Sequence, residues 1–147
     1  MSLHRLIYKS VSKHPLSSDF LKSLEEISKK NNAALDVTGI LLGTNASFLQ
    51  VLEGEESNVN RIYNKICRDS RHADIELISY RQISQREFSE WSMKCLSVGI
   101  MGRIVTEQLK KKYGERNSDL IIPTDGDKAF ALLFDLAFFQ KSGDLLQ

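Results

Sequence analysis

One stretch in the middle of the chain, Ser47-Phe48-Leu49-Gln50-Val51-Leu52-Glu53-Gly54, restricts the fold more than any other. Side chains alternate between the faces of a strand, so Phe48 and Leu52 point one way while Leu49 and Val51 point the other. A strand apolar on both sides belongs inside a sheet that is covered on both faces. Gln50 shares the side of Phe48 and Leu52, where the pattern calls for a Val or a Leu. Left without partners there, its amide would cost about 1 to 3 kcal/mol. Some polar group on that side must therefore meet it.

At 147 residues the chain is long enough for one substantial core and reads as a single folding unit. Twenty basic residues against nineteen acidic give a formal charge of +1. That balance argues against nucleic acid or an anionic membrane as the main partner. Cys67 and Cys95 form no CxxC pair, so neither a disulfide framework nor a zinc site is expected. No apolar run reaches the length needed to span a bilayer, and the N-terminus lacks the apolar stretch of a signal peptide. The expected location is the cytoplasm.

In chain order, Leu3 to Lys9 reads as a first strand with Leu6 and Tyr8 on one face. After Pro15, a helix capped by Ser17 or Ser18 is predicted to run to about Asn31, with Phe20, Leu21, Leu24 and Ile27 as its stripe. One further turn carries that stripe through Ser28, Asn31 and Asn32, either as a helix cap or as the edge of a polar ligand site. Ala34 to Gly43 is the second strand, with Gly39 marking a bulge or a close approach to the backbone. Thr44-Asn45-Ala46 turns it back into the Gln50 strand. Ser57 is expected to cap a second helix with the stripe Val59, Ile62, Tyr63 and Ile66, ending near Asp69-Ser70 beside Lys65, Arg68, Arg71 and His72. Ile75 to Ile83 and Trp91 to Val98 are strands four and five, joined by the polar segment Ser84 to Glu90. A helix over Arg103 to Tyr113 follows. Another runs from about Asp127 to Gln140, with Thr124 and Asp127 spaced like a capping box, and Gly114 to Pro123 is the loop between them. Because the last helix is apolar nearly all round, it is expected between the sheet and a further surface.

The order βαββαββ implies an α+β, ferredoxin-like, mainly antiparallel sheet with two helices sharing one face. The two C-terminal helices are left to cover the other. Between the first two helices lies a groove. Tyr8, Gln50, Asn31, Asn32 and the Lys65, Arg71, His72 group point into it. A phenol and three amides can meet a flat heterocycle with donors and acceptors, and the cations suit a phosphate. No catalytic constellation competes: His4 and His14 have no evident partner, and the serines and glycines form no known motif.

These residues resemble a known family. Tyr8 and Ser10, the Asn31-Asn32 pair, Val37-Thr38-Gly39-Ile40-Leu41, Phe48 through Gly54, Arg71-His72 and Phe88 through Trp91-Ser92-Met93 occur in the order and spacing of BLUF domains, the blue-light sensors that use flavin. The resemblance covers residues 3 to about 98 and implies a photosensor over residues 1–100 with a helical extension over 101–147. It implies that Ser28, Asn31, Asn32, Phe48, Gln50, Lys65, Arg71 and His72 line a non-covalently held flavin, FAD or alternatively FMN. Lys65 stands where relatives often carry Arg, which weakens a bidentate phosphate contact. Tyr8 would donate an electron and then a proton, and Gln50 would rearrange its hydrogen bonds by rotation or tautomerisation. Trp91 or Met93, at the start of strand five, would move in response. Output is expected through the C-terminal helices to a response-regulator-like or other effector protein, or through a change in a homo-oligomer. Gly43 through Gln50 also looks like the signature of LOV photosensors, but Ala46 replaces their adduct-forming cysteine, and nothing else follows that pattern.

The alternative from another class is an RNA-binding module, since RRM domains share the βαββαβ order. The Gln50 strand lacks their basic and aromatic pattern, and the C-terminal helices are expected to cover the face that RNA would need.

Overall fold

The computed structural model describes residues 2–13 and 17–142; His14, the turn expected at Pro15 and residues 143–147 lie outside them. Seven strands and four helices are formed by the described residues: β1 (Leu3–Ser12), α1 (Ser18–Ala34), β2 (Thr38–Gly43), β3 (Ser47–Glu55), α2 (Glu56–Cys67), β4 (His72–Ile83), β5 (Lys94–Ser97), α3 (Arg103–Tyr113), the two-residue strands β6 (Glu115–Arg116) and β7 (Asp119–Leu120), and α4 (Gly126–Ser142). The main sheet has the order β4-β1-β3-β2-β5. All its pairings are antiparallel except the last, where β5 runs parallel to β2.

Alternation along the strands separates two cores. Leu6, Tyr8, Leu41, Phe48, Leu52 and Cys95 pack with Leu21 and Leu24 of α1 and Val59 and Ile62 of α2. Their neighbours in sequence, Ile7, Ile40, Leu42, Leu49, Val51 and Leu96, pack on the other face with α3 and α4. The expected α+β arrangement is thus the observed one. Because α3 and α4 pack over β1, β2, β3 and β5 on that second face, the central strands on which RNA bases would stack are covered.

Several local expectations are corrected. Helix α1 runs on to Ala34, which had been placed in a strand; Ser17 caps it by accepting from Phe20 N at 3.1 Å, and Leu35 rather than an Asn ends it. Ile27 is 46% exposed rather than core. Helix α2 begins at Glu56 without a side-chain cap; Ser57 lies inside it and bonds Glu55 Oε1 at 3.1 Å. The cap of α4 comes from Asp125, whose carboxylate accepts from Lys128 N at 3.1 Å, not from Thr124. On α4, Leu132, Leu133 and Leu136 are buried, yet Phe134 and Phe138 are exposed. His4 does have neighbours: its ring stacks on Tyr80, with centroids 5.1 Å apart, and Glu56 lies 3.8 Å away.

Gly39 marks a close approach and not a bulge, since the β2–β3 register is unbroken. A Cβ there would sit 2.0 Å from the carbonyl oxygen of Val51 and 3.3 Å from Met93 Cε. The segment 84–93 must join the two opposite edges of the sheet, and it does so across the α4 side. There the Glu53 carboxylate, fully buried, accepts from Arg5 Nε at 2.7 Å, Glu87 N at 2.9 Å and Phe88 N at 2.7 Å. Arg86 fastens the same segment to Thr38 Oγ1 at 3.0 Å and to Asp36 O at 2.8 Å.

Candidate functional site

Register builds the site. Tyr8 pairs across from Gln50, Gln50 from Leu41 and Leu41 from Cys95, so these four form one row on the α1/α2 face. Above the row, between the C-terminal ends of α1 and α2, opens a cleft. Its inner wall is Gln50, Leu41, Leu24 and Ile62; its sides are Ser28, Asn31, Asn32 and Ile27 from α1, and Lys65 and Ile66 from α2. Asp69, Arg71 and His72 complete the rim.

Tyr8 is fully buried, and that burial pushes its phenol well above the ordinary tyrosine value. It is a neutral hydroxyl at physiological pH and donates to Gln50 Oε1. With the oxygen so engaged, the amide nitrogen faces the other way, where it donates to Met93 Sδ at 3.3 Å. A thioether is a weak acceptor. Gln50, only 3% exposed, therefore has donor capacity left over toward the cleft. Asn32, also buried, uses its Nδ2 to hold Ser92 O at 2.9 Å.

At the rim, Arg71 Nε bonds both oxygens of Asp69, each at 3.0 Å. This hydrogen bonding lowers the carboxyl of Asp69 and raises the guanidinium of Arg71. The pair carries no net charge, and Lys65, exposed, has no ion pair among the described residues. Burial lowers the imidazole of His72, which meets Ser10 Oγ through Nδ1 at 2.9 Å. Phe48 does not reach the cleft; it lies behind His72, with ring centroids 5.0 Å apart.

The strand boundary at residues 91–93 differs from expectation. Neither Trp91 nor Met93 belongs to β5, which starts at Lys94. Two residues apart in a strand they would share a face. Here Trp91 packs with the α3/α4 core, while Met93 is buried in the α1/α2 core. The backbone between them is held by Gly39 N donating to Trp91 O at 3.0 Å and by the Asn32 contact to Ser92 O.

The model of the family described as sensors of blue light using FAD matches residues 3–94. The chain belongs to the BLUF family. The blue light- and temperature-regulated antirepressor BluF of Escherichia coli K12 is 36% identical over 104 residues, covering 69% of this chain and 25% of that protein. The photoactivated adenylate cyclase subunit beta of Euglena longa is 33% identical over 93 residues, covering 63% of this chain and 11% of that protein. This chain thus spans a quarter or less of the length of these curated relatives. Among solved structures, the dark state of the BLUF protein BlrB superposes with a TM-score of 0.75 at 25% identity, covering 93% of this chain and 96% of that one.

A BLUF domain holds flavin without a covalent bond, and the cleft fits one. Its inner wall and α1 side together offer amide donors and acceptors for a flat ring edge, from Gln50, Asn31 and Asn32, with the spare donor of Gln50 among them. Its rim offers Lys65 and the guanidinium hydrogens of Arg71 that Asp69 leaves unused. Of the residues expected at the flavin, all but Phe48 line the cleft. Asp69, Ser10 and the aliphatic wall of Leu24, Leu41 and Ile62 complete the surroundings. Only the short spacing of Asp69 to Arg71 could have signalled the first.

Proposed function

We propose that Tyr8, Gln50 and Met93 form the photoswitch of this blue-light sensor, and that Ser28, Asn31, Asn32, Lys65, Arg71 and His72 hold its flavin. The observation that carries this is the buried chain of hydrogen bonds from Tyr8 through the Gln50 amide to Met93, which meets the cleft at Gln50. Flavin supplies the absorption of blue light and, when excited, an acceptor for an electron. Tyr8 is the donor and holds the proton at its hydroxyl until then. An amide can exchange its donor and acceptor ends, by rotation or by tautomerisation, so Gln50 has two ways of satisfying its neighbours. In the resting arrangement its nitrogen is turned to Met93. Reversal would release Met93, and with it the segment leading to β5. Trp91 is the second residue to feel that movement, because Met93 and Trp91 share one short connection.

Two donors at the rim, one already engaged by Asp69, favour a diphosphate-bearing flavin only weakly; FAD is the proposed form on the strength of the family description, with FMN as the alternative. Residues 1–100 would be the sensor and 101–147 the extension that carries output. The proposed output is to a separate effector, response-regulator-like or otherwise, or to other copies of this chain through the exposed Phe134 and Phe138. The chain itself would signal without catalysis. A cytoplasmic location accords with its unpaired thiols, and no helix among the described residues is long and apolar enough to cross a membrane.

The test is optical. The purified protein should be yellow, its flavin band should shift slightly to the red under blue light, and the shift should decay in darkness. A colourless protein that takes up neither FAD nor FMN would sink the proposal.

A further inference from the structure

Helix α1 grips the segment around Met93 at two points. One is Asn32 on Ser92 O. The other lies about two turns earlier on the helix, where Glu25 Oε1 accepts from the backbone N–H of Cys95 at 2.7 Å. Strand β5 is an outer strand, paired with β2 on one side only. The N–H of Cys95 faces away from β2, and a helix carboxylate takes the place that a further strand would have. Lys29 and Lys94 sit 3.8 Å and 4.0 Å from the same carboxylate and hold it over the strand edge.

The two sides of Met93 are therefore held with unequal strength. A bond from an amide to a thioether is weak, whereas a backbone N–H to an ionised carboxylate is roughly twice as strong as a neutral bond. Losing the Gln50 contact frees the Met93 side chain at little cost, but strand β5 cannot follow until Cys95 leaves Glu25.

We propose that Glu25 is a positioning residue that pins β5 to α1 and governs how readily the segment from Trp91 to Ser97 changes register when Gln50 rearranges. This rests on the BLUF reading of the site. Glu25 lies outside the cleft and touches neither Tyr8 nor Gln50. It acts through the strand alone.

The test uses flavin-loaded protein with Glu25→Ala and Glu25→Gln, the latter keeping a carbonyl acceptor. In darkness, Glu25→Ala should raise the hydrogen-exchange rate of the Cys95 amide by about tenfold or more while the flavin band stays in place. Return to the dark state after a blue flash should slow by roughly threefold or more, because the resting position of β5 has lost its strongest tie. Glu25→Gln, which keeps the acceptor but loses the charge and its hold by Lys29 and Lys94, should fall between wild type and Glu25→Ala in both. Glu25→Ser, too short to reach the strand, replaces Ala if that variant does not fold. Unchanged Cys95 exchange would overturn the pin, and raised exchange with an unchanged return rate would overturn its role in switching. If the wild-type protein shows no light-induced shift, the photosensor reading fails instead, and the dark exchange rates still decide whether Glu25 pins the strand.

Discussion

The carboxylate of Glu53 accepts from the backbone N–H of Phe88 at 2.7 Å, joining the Gln50 strand to the crossing segment on the far side of the sheet. Arg5 shares that carboxylate, and its guanidinium lies 4.5 Å from the centre of the Phe130 ring on α4. Replacing Glu53 with Ala would leave Arg5 without its partner and two backbone donors open. The expected loss is roughly 3 to 5 kcal/mol of stability, measured by denaturant unfolding. A loss below about 1 kcal/mol would show that solvent replaces the carboxylate without difficulty.

Tyr8→Phe and Gln50→Leu should both retain bound flavin and lose the reversible red shift. Gln50→Leu should also cost about 1 to 3 kcal/mol, since the buried hydroxyl of Tyr8 loses its acceptor. Difference spectra and thermal melts check the two parts separately. A normal shift in either variant would remove that residue from the switch.

Met93→Ala removes the acceptor facing the Gln50 amide nitrogen and leaves Trp91 where it is. The dark return after a flash should change several-fold, while Trp91→Phe should leave the dark position of the flavin band unaltered. The opposite ranking, with the dark band responding to Trp91 and not to Met93, would mean that the two residues exchange places when flavin is bound.

Phe138 is 62% exposed, whereas Phe139 packs against the α3/α4 core. Phe138→Ser should keep stability within about 0.5 kcal/mol and reduce the particle size in gel filtration if copies associate through α4. Phe139→Ser should instead lower stability by roughly 1 to 2 kcal/mol. An unaltered elution volume for Phe138→Ser would discard α4 as an assembly surface.

Because burial depresses His72 below its ordinary value of 6.5, the unfolded chain binds this proton more readily than the folded one. The stability associated with neutral His72 is complete above the unfolded value and is lost as pH falls toward the folded value. Unfolding measured between about pH 7 and pH 5 should show declining stability, and His72→Gln should flatten the slope. An identical slope in the variant would assign the acid sensitivity to other groups.

The two-faced strands were legible because each has a period of two with large apolar residues at both parities. Gln50 stood out for the same reason, as did the polar end of the α1 stripe. What escaped the sequence was set by contacts distant along the chain. Glu53 beside Gly54 carries no local mark of burial, and only the return of residues 84–93 makes it a buried anchor. Trp91-Ser92-Met93 has strand-like residues, yet Asn32 and Gly39 hold its backbone out of the ladder. Asp125 took the cap from Thr124 because a carboxylate adjoining the first turn competes better for its open N–H groups. Arg71 looked like a free cation, although its partner Asp69 lies only two residues away and the pairing is local.

Trp91 and Met93 lie on opposite sides of a sheet whose interior strands keep their side chains strictly sorted. A disturbance beneath α1 and α2 has no side chain in those strands through which to reach α4. Around residue 92 the chain itself turns from one compartment to the other, so under the proposed reading this short passage would serve as the doorway between the flavin and the α4 side. Sensitivity to light and freedom to evolve new partners can then be separated: the compartment behind α4 can be rebuilt, provided the doorway keeps its hinges at Gly39 and Asn32.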